Sequence, residues 1–201
     1  MGNITTRPYP TYQEYLFHQA SKLTGGISWL DAYEKAYKAL LIELVIQIAR
    51  RYSGFGRARK VLCLGARRGA EVQAFRALSF DCIGIDLNPG ENNSLVLTGD
   101  FHHLDPSLPT QDVVYTNSLD HVLDMDLFLS GIYRVLNSNG FLLILHASPA
   151  AVKADKFASY FWDDFEDVLK VIAAYKFTHL GKIDIFNNNF FEAIELFRRA
   201  E

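Results

Sequence analysis

The sequence predicts a single α/β domain: a doubly wound seven-stranded sheet, parallel except for an antiparallel last strand, with an N-terminal helical cap. Three observations predict it. Apolar runs alternate with helical patterns in the order strand, glycine turn, helix, strand from Lys60 to His146. The strand runs are apolar nearly throughout, as in parallel strands buried on both faces. Their ends carry polar residues, namely Asp86, Gly99-Asp100 and Asn117-Ser118. In open sheets of this kind ligands bind beyond the carboxyl ends of the strands, where strand order reverses. Residues 1–56 read as the cap and 57–201 as the sheet core.

The cap opens with an irregular lead-in containing Pro8 and Pro10. Thr11-Tyr12-Gln13-Glu14 is a capping box, so a helix should run to about Leu23, where Thr24-Gly25-Gly26 breaks it. Ser28-Trp29-Leu30-Asp31 starts a second helix. Leu30, Tyr33, Tyr37, Leu40, Leu41, Leu44 and Ile48 mark its apolar face. Arg50, Arg51, Arg57, Arg59 and Lys60 follow its end, where cations complement the helix dipole.

Strand one is Val61 to Leu64, followed by the turn Gly65 to Gly69 and a helix with Val72, Phe75 and Leu78 inward. Strand two, Cys82 to Ile85, ends at Asp86. Strand three, Leu95 to Thr98, comes too soon for a crossover helix, which predicts a short edge strand. Strand four is Val113 to Thr116. A helix from about Met125 to Leu136 and the turn Asn139-Gly140 lead to strand five, Phe141 to Leu145. Trp162, Phe165, Val168, Leu169 and Ile172 mark a further helix with acids at its start. Leu180 to Phe186 and Phe190 to Phe197, joined by Asn187-Asn188-Asn189, read as an antiparallel hairpin.

Composition bounds the function. The 201 residues are 49% hydrophobic and 21% charged, which suits one packed domain and not a disordered chain. A net charge of -3 argues against a nucleic-acid partner. No apolar run reaches membrane-spanning length, so no membrane is expected. No secretion signal is recognisable, and Cys63 and Cys82 read as buried free thiols, so a cytoplasmic location is expected.

Val61-Leu62-Cys63-Leu64-Gly65-Ala66-Arg67-Arg68-Gly69-Ala70 resembles the first motif of class I S-adenosylmethionine-dependent methyltransferases, closest to their small-molecule branch. Gly84-Ile85-Asp86-Leu87, Gly99-Asp100-Phe101 and Tyr115-Thr116-Asn117-Ser118-Leu119-Asp120-His121 are similar to the motifs that follow in that family. Tyr133-Arg134-Val135-Leu136 with Asn139-Gly140-Phe141 is similar to its helix-to-strand passage. The resemblance implies S-adenosylmethionine as cofactor, held by Gly65, Ala66, Arg67, Gly69, Asp86, Leu87, Asp100, Phe101, Asn117 and Ser118. In that reading Asp86 accepts the ribose hydroxyls, Asp100 accepts from the adenine amino group, and Leu87 covers an adenine face. The loop amides at the helix start, left open by Gly65 and Gly69, receive the cofactor carboxylate. The sequence departs from the family pattern at Cys63, where an acid is usual, and at Arg67, where a glycine is usual. Glu71 can replace some of the missing charge.

The implied activity is methyl transfer to a hydroxyl or amine of a small molecule such as a sugar or secondary metabolite. His121 is the first candidate for a general base, because it follows strand four and titrates near neutrality. The alternative is a histidine that packs against the cofactor. His146, ending strand five, is the second candidate. Tyr15, His18, Gln19 and His146 are expected in the substrate pocket. His102, His103, Asp105 and Asp124 match no defined ligand spacing, so no metal is expected. Two rivals stay open: a non-catalytic or degenerate cofactor-binding partner protein, and a nucleotide-dependent oxidoreductase.

Overall fold

The computed structural model describes residues 4–23, 30–186, 188 and 190–200. The break at Thr24-Gly25-Gly26, the cap at Ser28-Trp29 and the outer asparagines of Asn187-Asn188-Asn189 lie outside the described residues.

Strands β1 (Thr5–Thr6), β2 (Lys60–Leu64), β3 (Asp81–Asp86), β4 (Val96–Thr98), β5 (Gln111–Thr116), β6 (Leu136–His146), β7 (Tyr160–Phe161), β8 (Phe177–Asp184) and β9 (Ala193–Arg199) form two sheets. The helices are α1 (Tyr12–Ala20), α2 (Leu30–Arg51), α3 (Ala70–Ala77), α4 (Met125–Val135), α5 (Pro149–Ala154) and α6 (Phe165–Ala174). The main sheet has seven strands in the order β4-β3-β2-β5-β6-β9-β8. All neighbours are parallel except β6 with β9 and β9 with β8. Chain order reverses between β2 and β5, so the expected crevice lies between their carboxyl ends.

Side-chain alternation explains the two cores. Val61 and Cys63 of β2 face one cluster, with Val113, Tyr115, Leu143 and the inward faces of α2 and α3. Leu62 and Leu64 face the other, with Val114, Ile144 and the inward faces of α4 and α6. Each central strand is therefore buried on both sides. Helix α2 buries Leu30, Tyr37, Leu41, Leu44, Val45 and Ile48, while Tyr33 and Leu40 pack at its margin. Thr11 caps α1 by accepting from the Glu14 amide at 3.2 Å.

β4 has three residues and occupies one edge, as the short β3–β4 connection requires. Asn93 holds that connection by donating to the Pro89 carbonyl and accepting from the Leu95 amide. Three features differ from expectation. The lead-in is not irregular throughout, because Thr5–Thr6 pairs with Tyr160–Phe161. Ser148 and Pro149 start an additional helix, α5. The strands of the closing hairpin are placed differently at their turn ends: β8 ends at Asp184 and β9 begins at Ala193, with the Ile185 amide on the Glu192 carbonyl at 2.8 Å. Asn188 Oδ1 accepts from the amides of Phe190 and Phe191, which turns both phenylalanines out of the ladder and onto Tyr33 and Tyr37 of α2. The Asn139-Gly140 turn falls within β6, at a register shift opposite Gln111–Val113. No helix among the described residues is long and apolar enough to cross a membrane.

Gly84 sits where β3 meets α3. An added Cβ would lie 2.6 Å from Ala66 Cβ, 3.0 Å from Val96 Cγ2 and 3.1 Å from Val72 Cγ2. Gly84→Ala should therefore lower unfolding stability by roughly 1–3 kcal/mol through overpacking. Equilibrium urea denaturation measures this, and an unchanged midpoint would contradict it.

Candidate active site

A cleft opens at the strand reversal, lined by Gly65, Arg67, Asp86, Leu87, Asn88, Phe101, Ser118 and His121. Tyr15, Gln19, Ala20 and Lys22 close it from the cap. Gly65 has φ +71, and a Cβ there would lie 2.3 Å from Ser118 Oγ. The bare glycine thus lets Ser118, after β5, pack directly against the loop after β2 at the floor of the cleft.

The loop after β2 spends its amides internally. Gly65 and Ala66 donate to the Ile85 carbonyl at 2.9 and 3.1 Å. Arg67 donates to Asp86 Oδ2 at 2.8 Å, and Gly69 to the Ala66 carbonyl at 2.7 Å. The expected amide cradle for a carboxylate is therefore not free at these four residues. Gly69 (φ +94) serves packing instead, since a Cβ there would crowd Leu95 and Val96. Ala66 is wholly buried beneath Gly84 and does not line the cleft. Arg67 takes a positive φ of 45, the conformation glycine adopts without strain. Its guanidinium lies 5.6 Å from the centre of the Tyr33 ring.

Asp86 ends β3 in the cleft. Oδ2 accepts from Arg67 and Oδ1 from the Asn88 amide at 2.8 Å, so both flanking loops are fixed to it. Each oxygen keeps a further lone pair that can accept a hydroxyl. Leu87 and Phe101 offer apolar walls beside it. Asp100 is placed differently from expectation. It does not line the cleft, and its carboxylate is taken by the Tyr12 hydroxyl at 2.5 Å and by the amide and Nδ1 of His102 at 2.9 and 3.1 Å. It ties α1 to the loop after β4.

A buried acid stands near Cys63 on the helix after the loop. Cys63 is buried with its sulfur 3.5 Å from that of Cys82, and both are free thiols. Glu71, in the first turn of α3, is 3% exposed, and its Oε2 has no hydrogen-bond partner. Burial pushes its carboxyl up to about 7, with the Arg67 guanidinium pulling it back. Nearby, the buried Tyr37 and Tyr115 hydroxyls share a 2.5 Å hydrogen bond.

His121 follows β5 and lines the cleft, as expected. Both of its nitrogens are occupied: Nδ1 lies 3.1 Å from the Phe157 carbonyl and Nε2 2.6 Å from Lys22 Nζ. Burial holds its pKa below the usual histidine value. Asp120, His121 and Asp155 bring ligand-type atoms within 4.8 Å of one another, but the Lys22 nitrogen stands among them and supplies the positive charge. Beside the cleft lies a second cavity, lined by Tyr33, Phe190, Phe191, Asn117, Asp120 and Asp155 and bounded by Lys22, Arg67 and His121.

The expected pocket residues divide. Tyr15 lines the cleft and donates to the His121 carbonyl at 3.0 Å. Gln19 lines it while its amide donates to Phe157 and Ser159. Ser118 lines the cleft, whereas Asn117 faces the second cavity. His18 stacks on Phe157 and contacts the Tyr9 hydroxyl, outside both cavities. His146 is also elsewhere: it stacks on Phe165 at 3.7 Å and lines a separate cavity with Glu195 and His179. The side chain at the end of β6 points away from the second cavity, and Ala147 lines that cavity instead. Lys22, Asn88 and Asp155 are site residues that the sequence reading missed. Lys22 was accessible to it, since Tyr15, Gln19 and Lys22 follow helical spacing along one face.

Glu71 generates a prediction. A carboxyl raised from 4.5 to about 7 in the folded chain binds more protons folded than unfolded, so its ionisation costs stability as pH rises through that window. Glu71→Gln should be neutral near the low end of the window and stabilising above its high end by about 1–3 kcal/mol. Thermal unfolding across pH checks this, and an effect independent of pH would refute it.

Residues 62–144 match the family described as methyltransferase domain. No curated protein matches the chain. Among solved structures, the chain is similar to 1,6-didemethyltoxoflavin-N1-methyltransferase of Burkholderia thailandensis, bound to 1,6-didemethyltoxoflavin and S-adenosylhomocysteine. The TM-score is 0.71 at 16% identity, over 100% of this chain and 95% of that one. It is similar to the N-methyltransferase NodS of Bradyrhizobium japonicum (TM-score 0.60, 14% identity, 85% and 98% of the two chains). It is also similar to an S-adenosylmethionine-dependent methyltransferase of Clostridium acetobutylicum (TM-score 0.60, 12% identity, 94% and 99%).

Proposed function

We propose that this chain is a class I S-adenosylmethionine-dependent methyltransferase and that its reaction is methyl transfer to an amine or hydroxyl of a small, flat acceptor held in the second cavity. One observation carries this reading: the cleft beside Asp86 and a cavity walled by aromatic rings and carboxylates share Lys22, Arg67 and His121 as common lining. Two adjoining chambers suit a nucleoside cofactor and a separate acceptor. The bound cofactor supplies an electrophilic methyl group on a sulfonium.

The residues of the cleft fit that cofactor. Gly65 brings bare backbone to the cleft wall beside Ser118. Asp86 offers a carboxylate for paired hydroxyls, and Leu87 and Phe101 offer faces for a flat base. Arg67 is the cation available to a carboxylate, given that the neighbouring amides are already bonded. In the second cavity Tyr33, Phe190 and Phe191 can stack a flat acceptor, while Asp120 and Asp155 can accept from its N–H or O–H groups. Holding acceptor and donor in line at near contact supplies much of the rate of such a displacement. Two of the similar structures above are N-methyltransferases, which favours an amine over a hydroxyl.

Transfer of labelled methyl from S-adenosylmethionine to a panel of small N-heterocycles, amines and phenols tests the reading. Binding of the cofactor with no transfer to any member would favour the non-catalytic alternative. Asp86→Ala is expected to weaken S-adenosylhomocysteine binding about 10- to 100-fold, the loss of one or two hydrogen bonds to a charged group. Calorimetry measures it, and unchanged affinity would remove Asp86 from the ribose role.

A further inference from the structure

Lys22, Arg67 and His121 line both the cleft and the second cavity, so they stand where acceptor and methyl must meet. Methylation of an N–H or O–H group leaves one proton to be removed, and the acceptor of that proton belongs at this boundary. Arg67 cannot serve, because a guanidinium does not deprotonate in a protein. His121 has no nitrogen to spare. Its Nδ1 faces a carbonyl at 3.1 Å and so carries the hydrogen, which leaves the Nε2 lone pair to accept from Lys22 at 2.6 Å. Asp120 and Asp155 line only the second cavity, and Asp155 also accepts from the Phe157 amide at 2.8 Å. A neutral Lys22 amine, by contrast, gives one hydrogen to His121 and keeps a lone pair.

We propose that Lys22 takes the proton from the methyl acceptor and that His121 is the residue that positions it, a proposal that rests on the methyl-transfer reading above. The acceptor atom forms its bond to the methyl carbon, and the carbon–sulfur pair returns to sulfur. The acceptor's proton moves to the Lys22 Nζ lone pair, giving an ammonium beside Asp155, whose Oδ2 is 3.7 Å away.

The surroundings prepare Lys22 for this. Burial pulls its pKa below the ordinary lysine value; Asp155, Asp120 and Asp86 oppose that shift, and Arg67 adds to it. The Phe157 ring centre is 5.6 Å from Lys22 Nζ, and His18 and Lys156 flank the same ring. A bound sulfonium adds a positive charge and lowers the lysine pKa further, whereas S-adenosylhomocysteine, with a neutral sulfur, does not. Cofactor binding should therefore expel protons from Lys22 in a way that the demethylated product does not match.

The test needs no acceptor. S-adenosylmethionine and S-adenosylhomocysteine are titrated into the whole chain at neutral pH in phosphate and in Tris, whose ionisation enthalpies differ, so the heats report protons released. Wild type is expected to release more protons with S-adenosylmethionine. Lys22→Met and Lys22→Arg are expected to bind both ligands and to lose the difference. His121→Leu should lose it, and His121→Gln, which keeps an acceptor for the lysine, should restore it. Equal release for the two ligands in wild type, or a difference that survives in Lys22→Met, overturns the proposal. Loss of S-adenosylhomocysteine binding in both lysine variants, with circular dichroism unchanged, also overturns it and makes Lys22 a cofactor-holding residue. Failure of both ligands to bind wild type is a separate result, which removes the methyltransferase reading itself.

Discussion

The site depends on the contact between Gly65 and Ser118. β2 and β5 are hydrogen-bonded neighbours, and these two residues follow their carboxyl ends. A single Cβ on Gly65 would fall 2.3 Å from Ser118 Oγ, so Ser118 packs against the loop after β2 only because that side chain is missing. The neighbouring loops are anchored beside that contact. The Ile85 carbonyl holds the Gly65 and Ala66 amides, and Asp86 holds the next amide and then that of Asn88. One residue pair at the end of β3 thus fixes the loops on both sides of the opening.

Electrostatics near the opening follow from a buried acid. Cys63 of β2 carries no charge and packs against Cys82. Glu71 brings a carboxylate from the first turn of α3, but into a buried site where one of its oxygens lacks a partner. Arg67 compensates for it and also stacks over Tyr33. The same guanidinium therefore serves the buried acid and the cleft. A glycine at that position could do neither.

The fold was legible where local pattern decides structure. The near-continuous apolar runs of β2, β5 and β6 announced burial on both faces before any coordinates, and the short interval after Asp86 marked β4 as an edge strand. Gly65, Asp86, Leu87, Phe101, Ser118 and His121 were legible through motifs at successive strand ends, and the structure lines one cleft with them. What stayed hidden depends on partners distant in sequence. Asp100 ends its strand as expected, yet Tyr12, 88 residues earlier, takes its carboxylate. His146 faces Phe165 because of which side of β6 its side chain leaves, and an offset of one residue decides that. Asp155 enters the site only through the fold of the segment after α5, which no periodicity announces.

The two outermost strands of the sheet have a bearing on how copies of the chain meet at high concentration. An exposed strand edge invites another chain to add to it, which is the first step of many aggregation routes. β4 presents only three residues, too few to hold a passing strand in register. β8 is longer, but Gly181 (φ +139) and a register shift break its line, and Lys182 and Asp184 project charge beside the break. Neither rim offers a straight, apolar template, so the geometry that makes β4 a three-residue edge also guards the sheet against edge-to-edge growth.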